Sequence, residues 1–307
     1  MKPRLLKDYL LISLKGIAMG AADAVPGVSG GTIAFISGIY EELITSISNV
    51  DASLFKTLFK EGFTAFWKKA NGNFLLALII GIAVSLISFT RLAKYLLENH
   101  PILIWGFFFG LILASVLIVG KQITKWNLAN IIALIIGTLV ACYISGLPSM
   151  MENDSTVFLF FAGSLAICAM ILPGVSGAFI LVILGAYKNA IDALHDFDVK
   201  KIITLSAGAL LGLLTFSKVL KWLFQKYRDL TLALLTGFIV GSLNKVWPWK
   251  KVLTFRTNSK GKEVPLIEES ISPYNFDGDP QLLWAVLLMI IGFFTIYLLE
   301  KFGPENQ

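Results

Sequence analysis

Apolar residues fall in ten stretches separated by short polar breaks. The first five lie at about 8–22, 28–48, 74–97, 101–120 and 127–147. The second five lie at about 156–171, 175–194, 201–224, 229–247 and 281–300. A helix needs about 20 apolar residues to cross a bilayer, so the last three stretches of each set predict spanning helices. The first stretch of each set is shorter and ends at Pro and Gly. Two segments depart from the rhythm. Residues 53–69 place Leu54, Phe55, Leu58, Phe59, Phe63, Phe66 and Trp67 on one helical face and Lys56, Lys60, Lys68 and Lys69 opposite, which predicts an amphipathic helix lying on the membrane surface. Residues 248–280 are polar and predict an external loop or small cap.

The breaks carry a repeat. Pro26-Gly27-Val28-Ser29-Gly30 recurs as Pro173-Gly174-Val175-Ser176-Gly177. The flanks match as well, since Gly38-Ile39-Tyr40 corresponds to Gly185-Ala186-Tyr187, and Phe89-Thr90-Arg91 to Phe216-Ser217-Lys218. The chain thus reads as one unit duplicated, residues 1–150 and 151–307. An odd number of segments per unit turns the second copy upside down, the plan of secondary transporters. The expected fold class is an all-α polytopic membrane protein built from an inverted-topology repeat. Each unit has a re-entrant hairpin (about 8–48 and 156–194) broken at the pentapeptide, followed by three spanning helices. Irregular backbone at that depth is tolerated only where protein buries it or where it lines a wet cavity.

Composition agrees with this class. Of 307 residues, 56% are hydrophobic and 15% charged, against about 25% charged in soluble domains. No cleavable signal peptide is evident, because the first apolar run leads directly into the first repeat. The net charge of +6 suits anionic lipid and does not indicate nucleic acid. A slight excess of Lys and Arg at one end of the segments places both termini in the cytoplasm. The cysteines, Cys142 and Cys168, sit in apolar segments as small packing residues. His100 and His195 fall at loop edges, and no metal-ligand spacing or Walker loop is present. No cofactor is expected, and the oligomeric state is not encoded legibly.

Chemistry concentrates at the breaks. Pro26, Gly27, Pro173 and Gly174 stop the incoming helices. The outgoing ones present unpaired N–H groups and a positive dipole end, a ready anion site. Ser29, Gly30, Gly31 and Thr32 from one copy, and Ser176 and Gly177 from the other, are the candidate phosphate ligands. The plainer alternative is a tight turn with a serine cap. Asp23 is the one acid deep in the first hairpin, and its counterpart is Met170. An intramembrane carboxylate is costly, so it reads either as the carrier of a coupling H⁺ or Na⁺ or as a cap for the following helix. Arg91 and Lys218 occupy matched positions facing opposite membrane surfaces, suited either to phosphate capture or to snorkelling.

On the run Gly20-Ala21-Ala22-Asp23-Ala24-Val25-Pro26-Gly27-Val28-Ser29-Gly30-Gly31-Thr32 and on Leu172-Pro173-Gly174-Val175-Ser176-Gly177, the chain closely resembles the polyprenyl-phosphate transporter family over nearly its whole length. The resemblance implies flipping of undecaprenyl phosphate from the outer to the inner leaflet of the bacterial cytoplasmic membrane, for reuse in cell-wall synthesis. The residues alone leave a second reading open, an ion-coupled carrier of a small soluble anion. A membrane lipid-pyrophosphate phosphatase fits less well. Such enzymes use a related hairpin with Arg after the Ser and a spaced glutamate pair, whereas this chain has Gly30 and Gly177 there and adjacent Glu41 and Glu42. An enzyme must stabilise transition-state charge beside a nucleophile or activated water, and those parts are lacking. The lipid tail and the direction rest on the resemblance alone.

Overall fold

The computed structural model describes residues 4–23, 29–147, 155–257 and 263–301. The first half contains α1 (Leu6–Asp23), α2 (Gly30–Ile36), α3 (Tyr40–Ser48), α4 (Ala52–Glu61), α5 (Phe63–Lys69), α6 (Gly72–Asn99), α7 (Pro101–Lys121) and α8 (Leu128–Ser145). The second contains α9 (Thr156–Ile171), α10 (Gly177–Ile183), α11 (Tyr187–His195), α12 (Val199–Lys226), α13 (Arg228–Ser242), β1 (Lys250–Thr257), β2 (Glu263–Ser270) and α14 (Leu282–Lys301). Among the described residues, α6, α7, α8 and α12 are long and apolar enough to span a bilayer, and α9 and α14 contain shorter apolar helices. Leu76, Ile79, Ile87, Leu139, Tyr143, Phe161, Leu210 and Leu283 are exposed on these helices, as lipid-facing positions are. The chain is a mostly helical, multi-pass membrane protein.

Small residues set the helix pairing. In lipid, close approach of backbones replaces the hydrophobic drive of water. α1 packs on α6, α9 on α12, α7 on α14 and α8 on α13. A Cβ added at Gly81 would lie 2.9 Å from the carbonyl carbon of Ser13, and one at Gly208 would lie 2.7 Å from that of Phe160. Gly110 abuts Met289 as Gly237 abuts Leu134, and Gly292 abuts Phe107 as Gly137 abuts Leu234. These close approaches therefore recur at matching residues of the two repeats. Gly16 lies against Leu78 and Gly81, and Gly20 against Ile82 and Ser85, so α1 and α6 run in the same direction.

Polar contacts define the two ends of the molecule. At one end the Arg4 guanidinium donates to both carboxylate oxygens of Glu42 at 2.7 and 2.6 Å, and Asn71 Nδ2 donates to Glu42 at 2.8 Å. The chain before α1, the start of α3 and the start of α6 thus meet at one place, so the first hairpin leaves where it began. Lys221 donates to Asn49 at 3.0 Å, Arg228 to Glu41 at 3.2 Å, and Thr124 Oγ1 to Asp229 at 2.7 Å, which places the end of α12, the start of α13 and the α7–α8 turn at that same end. The opposite end carries β1 and β2. Trp247 Nε1 donates to the Ile271 carbonyl at 2.8 Å and Trp249 Nε1 to the Pro280 carbonyl at 2.9 Å, holding the β-hairpin against α7 and α14.

Several expectations change. The stretches 28–48 and 175–194 are not continuous helices. Each divides in two at a glycine with positive φ, Gly38 (73°) and Gly185 (67°), a backbone state that glycine adopts at no steric cost. The amphipathic segment 53–69 divides at Gly62 (φ 86°) into α4 and α5. Leu54 is buried while Phe55, Phe59 and Phe63 are exposed, so its apolar positions split between the protein and the membrane interface. The span expected at 229–247 ends at Ser242, because Trp247 and Trp249 turn into the β-hairpin. The polar segment 248–280 is no plain loop, since β1 and β2 pair antiparallel there, an exception to the all-α expectation. The β-branched and aromatic residues Val252, Thr254, Phe255 and Thr257 carry a strand signal, and the dominant apolar runs mask it.

Candidate functional site

The two breaks meet in the interior. Pro173 has no N–H and stops α9, so the last carbonyls of that helix lack intrahelical partners. Ser29 Oγ donates to one of them, Met170 O, at 3.0 Å. In return the Gly174 N–H donates to Thr32 Oγ1 at 2.9 Å. Gly174 has a φ of 82°, and a Cβ there would come within 2.5 Å of the Phe238 carbonyl oxygen. Gly31 has no room for a side chain either, because an added Cβ would lie 2.8 Å from Met170 O. The tips thus touch through backbone and hydroxyl groups, and Ser29 and Thr32 are buried. Pro26 and Gly27 lie outside the described residues.

The two helix starts differ in what fills them. At α2, Asp23 Oδ1 accepts the Gly30 N–H at 2.7 Å and Ser29 Oγ accepts the Gly31 N–H at 3.1 Å. The chain's own carboxylate therefore occupies the position at which an external anion was expected, and Asp23 caps α2. At α10, Ser176 Oγ accepts the Phe179 N–H at 3.5 Å, a weak cap by distance. Met170 stands where Asp23 does in the first copy and brings no charge. Gly177 is buried, and a Cβ there would lie 3.0 Å from Met170 Cβ. Beside this second tip is a narrow cleft lined by Ala141, Ile144 and Ser145 of α8, Gly174, Val175 and Ser176 of the tip, Phe179, and Lys245.

Lys218 is not brought to the tips. Lys218 is exposed on α12, within electrostatic reach of Asp51, the N-cap of α4, at the end where Lys221 meets Asn49. Arg91 belongs to α6, and its side chain lies outside what is described. The motif reading missed Lys245, which falls three residues past α13. Its one sequence signal is the lack of a basic counterpart, because the matching position, counted from the Gly110–Gly237 correspondence, is Ile118. Glu41 and Glu42 are both engaged in ion pairs at the molecule's end, across α2 from the first tip.

Helices broken at Pro and Gly that meet inside a multi-pass helical bundle are a plan that membrane transporters use. The chain belongs to the VCA0040-like family, described as undecaprenyl phosphate translocase-like, which it matches over residues 19–264. It is 44% identical over 302 residues to the polyprenyl-phosphate transporter of Vibrio cholerae serotype O1, covering 97% of this chain and 98% of that one. It is 33% identical over 253 residues to the polyprenyl-phosphate transporter of Staphylococcus aureus, covering 76% of this chain and 85% of that one. No solved structure matches it.

Proposed function

We propose that this protein flips undecaprenyl phosphate across the bacterial cytoplasmic membrane, from the outer to the inner leaflet, returning the carrier lipid for cell-wall synthesis. The observation that carries the reading is the meeting of two matched broken hairpins, with one helix start held by Asp23 and the other beside a cationic cleft. The matched glycine contacts and the shared direction of α1 and α6 support an inverted repeat of residues 1–150 and 151–307. α6 starts at the end where α12 finishes, as inversion requires. The cleft beside the second tip has α8 as one wall, and Leu139, Val140 and Tyr143 on that helix are exposed. A prenyl tail can therefore stay in lipid while its phosphate sits against Ser176 and Gly177.

Passage to the first tip, at Ser29, Gly30, Gly31 and Thr32, requires Asp23 to give up the Gly30 N–H, because two anions cannot share one cradle. Neutralising Asp23 with H⁺ or Na⁺ relieves that conflict and couples ion to lipid. Arg91 and Lys218 act nearer opposite membrane surfaces, as capture points for headgroups. The test is reconstitution in liposomes with fluorescent undecaprenyl phosphate on one leaflet and a membrane-impermeant quencher. Protein-dependent loss of quenchable lipid supports flipping. Absence of exchange, with uptake of free phosphate instead, moves the function to a soluble anion.

A further inference from the structure

Lys245 is the cation of the cleft at the second tip, and its surroundings are unusual. Its ammonium sits over the Phe179 ring at 4.6 Å and lies 3.9 Å from Glu268 on β2. That ion-pair distance is at the limit of a contact, and the lysine is otherwise turned to a cleft offering the Ser145 and Ser176 hydroxyls. Glu268 is shared, since Lys250 Nζ lies 3.5 Å from the same oxygen. Lys250 is already committed elsewhere, donating to the Lys245 carbonyl at 2.6 Å and lying 5.0 Å over the Trp105 ring. One carboxylate thus serves two ammonium groups and satisfies the nearer one, Lys250, better.

Among the described residues, the features that make this arrangement occur once. The first tip supplies its own anion, Asp23, and has Ile118 where the second half has Lys245. The second tip has Met170 in place of that acid and a lysine beside it. Among the described residues, β1 and β2 have no counterpart in the first half. Charge is therefore balanced from within at one tip and left open to an incoming anion at the other.

We propose that Lys245 binds the phosphate of the lipid headgroup at the β-hairpin end of the molecule, and that Glu268 is a resident counter-ion which the phosphate displaces. This rests on the transport reading above and assigns its first binding step. A phosphate monoester carries about −1.5 to −2 charge at neutral pH and three acceptor oxygens. It outcompetes a single carboxylate for Lys245 and accepts from Ser145 and Ser176 at the same time. Displacing Glu268 leaves that side chain with Lys250, so no buried charge is orphaned.

The test measures binding of farnesyl phosphate, with farnesol as control, to the full-length protein in nanodiscs. The wild type is expected to bind the phosphate and not the alcohol. Lys245→Met, which keeps the stem over Phe179, should weaken binding tenfold or more. Glu268→Gln should strengthen it threefold or more, and the double variant should bind no better than Lys245→Met. Wild-type affinity in both single variants, with their thermal unfolding unchanged, overturns the role of Lys245 while leaving the transport reading intact. Failure of the wild type to distinguish phosphate from alcohol overturns the transport reading itself. Inorganic phosphate competing as well as farnesyl phosphate overturns the lipid-headgroup assignment in favour of a free anion.

Discussion

At the residue scale, the consequential contact is that of Asp23 with the Gly30 N–H. It turns an expected open anion cradle into a closed one. Asp23→Asn keeps a cap, because an amide oxygen still accepts, but removes the charge that competes with phosphate. The variant is expected to bind lipid phosphate at least as well as the wild type while its flipping no longer responds to an imposed H⁺ or Na⁺ gradient. Fluorescent-lipid assays with and without the gradient check this, and retained gradient sensitivity would leave Asp23 as a cap alone. Thr32 gives a second residue-level case. Thr32→Val leaves the partly buried Gly174 N–H without its acceptor, a loss of about 1 kcal/mol or more, read as a lower unfolding midpoint in detergent. Gly31→Ala should be more severe, since the new methyl meets backbone carbonyls that cannot turn away.

At the element scale, α4, α5 and the β-hairpin have no repeat partner among the described residues. α4 begins at Asp51, whose carboxylate accepts from Ser53 Oγ at 2.7 Å and from the Leu54 N–H at 3.1 Å. The Ser53 hydrogen bond, ahead of the Leu54 one, holds that carboxyl below its usual range. A lowered folded-state value means the stabilisation is present above the unfolded carboxylate value, about 4, and is lost as pH falls below it. Amide exchange at Leu54, corrected for intrinsic rates, should therefore speed up as pH drops through that range. Asp51→Ala should abolish the dependence. The cap matters because α4 presents Phe55 and Phe59 outward, and a frayed α4 loses its seat at the interface.

At the scale of the whole molecule, the matched helix pairs predict matched sensitivity. Gly81→Leu and Gly208→Leu should each separate one helix pair, α1 from α6 and α9 from α12, and each should lower the unfolding temperature by a similar amount. A large effect in one half only would argue that the halves are not equivalent in their packing. Transport should also feel the membrane potential. Moving one negative charge inward against a negative-inside potential of 100 mV costs about 2.3 kcal/mol. Clamping liposomes inside-negative with a potassium gradient and valinomycin should slow inward flipping when no coupling ion is supplied. Adding the coupling ion should relieve that slowing in the wild type and not in Asp23→Asn. Arg91→Ala and Lys218→Ala, placed nearer opposite surfaces, should each slow capture from one face only.

Local chemistry made much of this legible in the chain itself. Runs of apolar residues determine which segments enter the bilayer, because no other environment accepts them. Pro and Gly determine where helices stop: Pro173 lacks the N–H that would continue α9, and Gly38 and Gly185 turn the chain through positive φ. The duplication is visible because its residues repeat. What fills each helix start at the breaks depended on tertiary structure. Ser29 reaches a carbonyl 141 positions away and Thr32 an N–H 142 positions away, and neither separation leaves a trace in local pattern. The same holds for Lys245 and Glu268, two charges in ordinary polar surroundings until β2 folds back over the second tip. Sequence placed the donors, but only packing decided that Asp23 occupies one set and that the other faces a cleft.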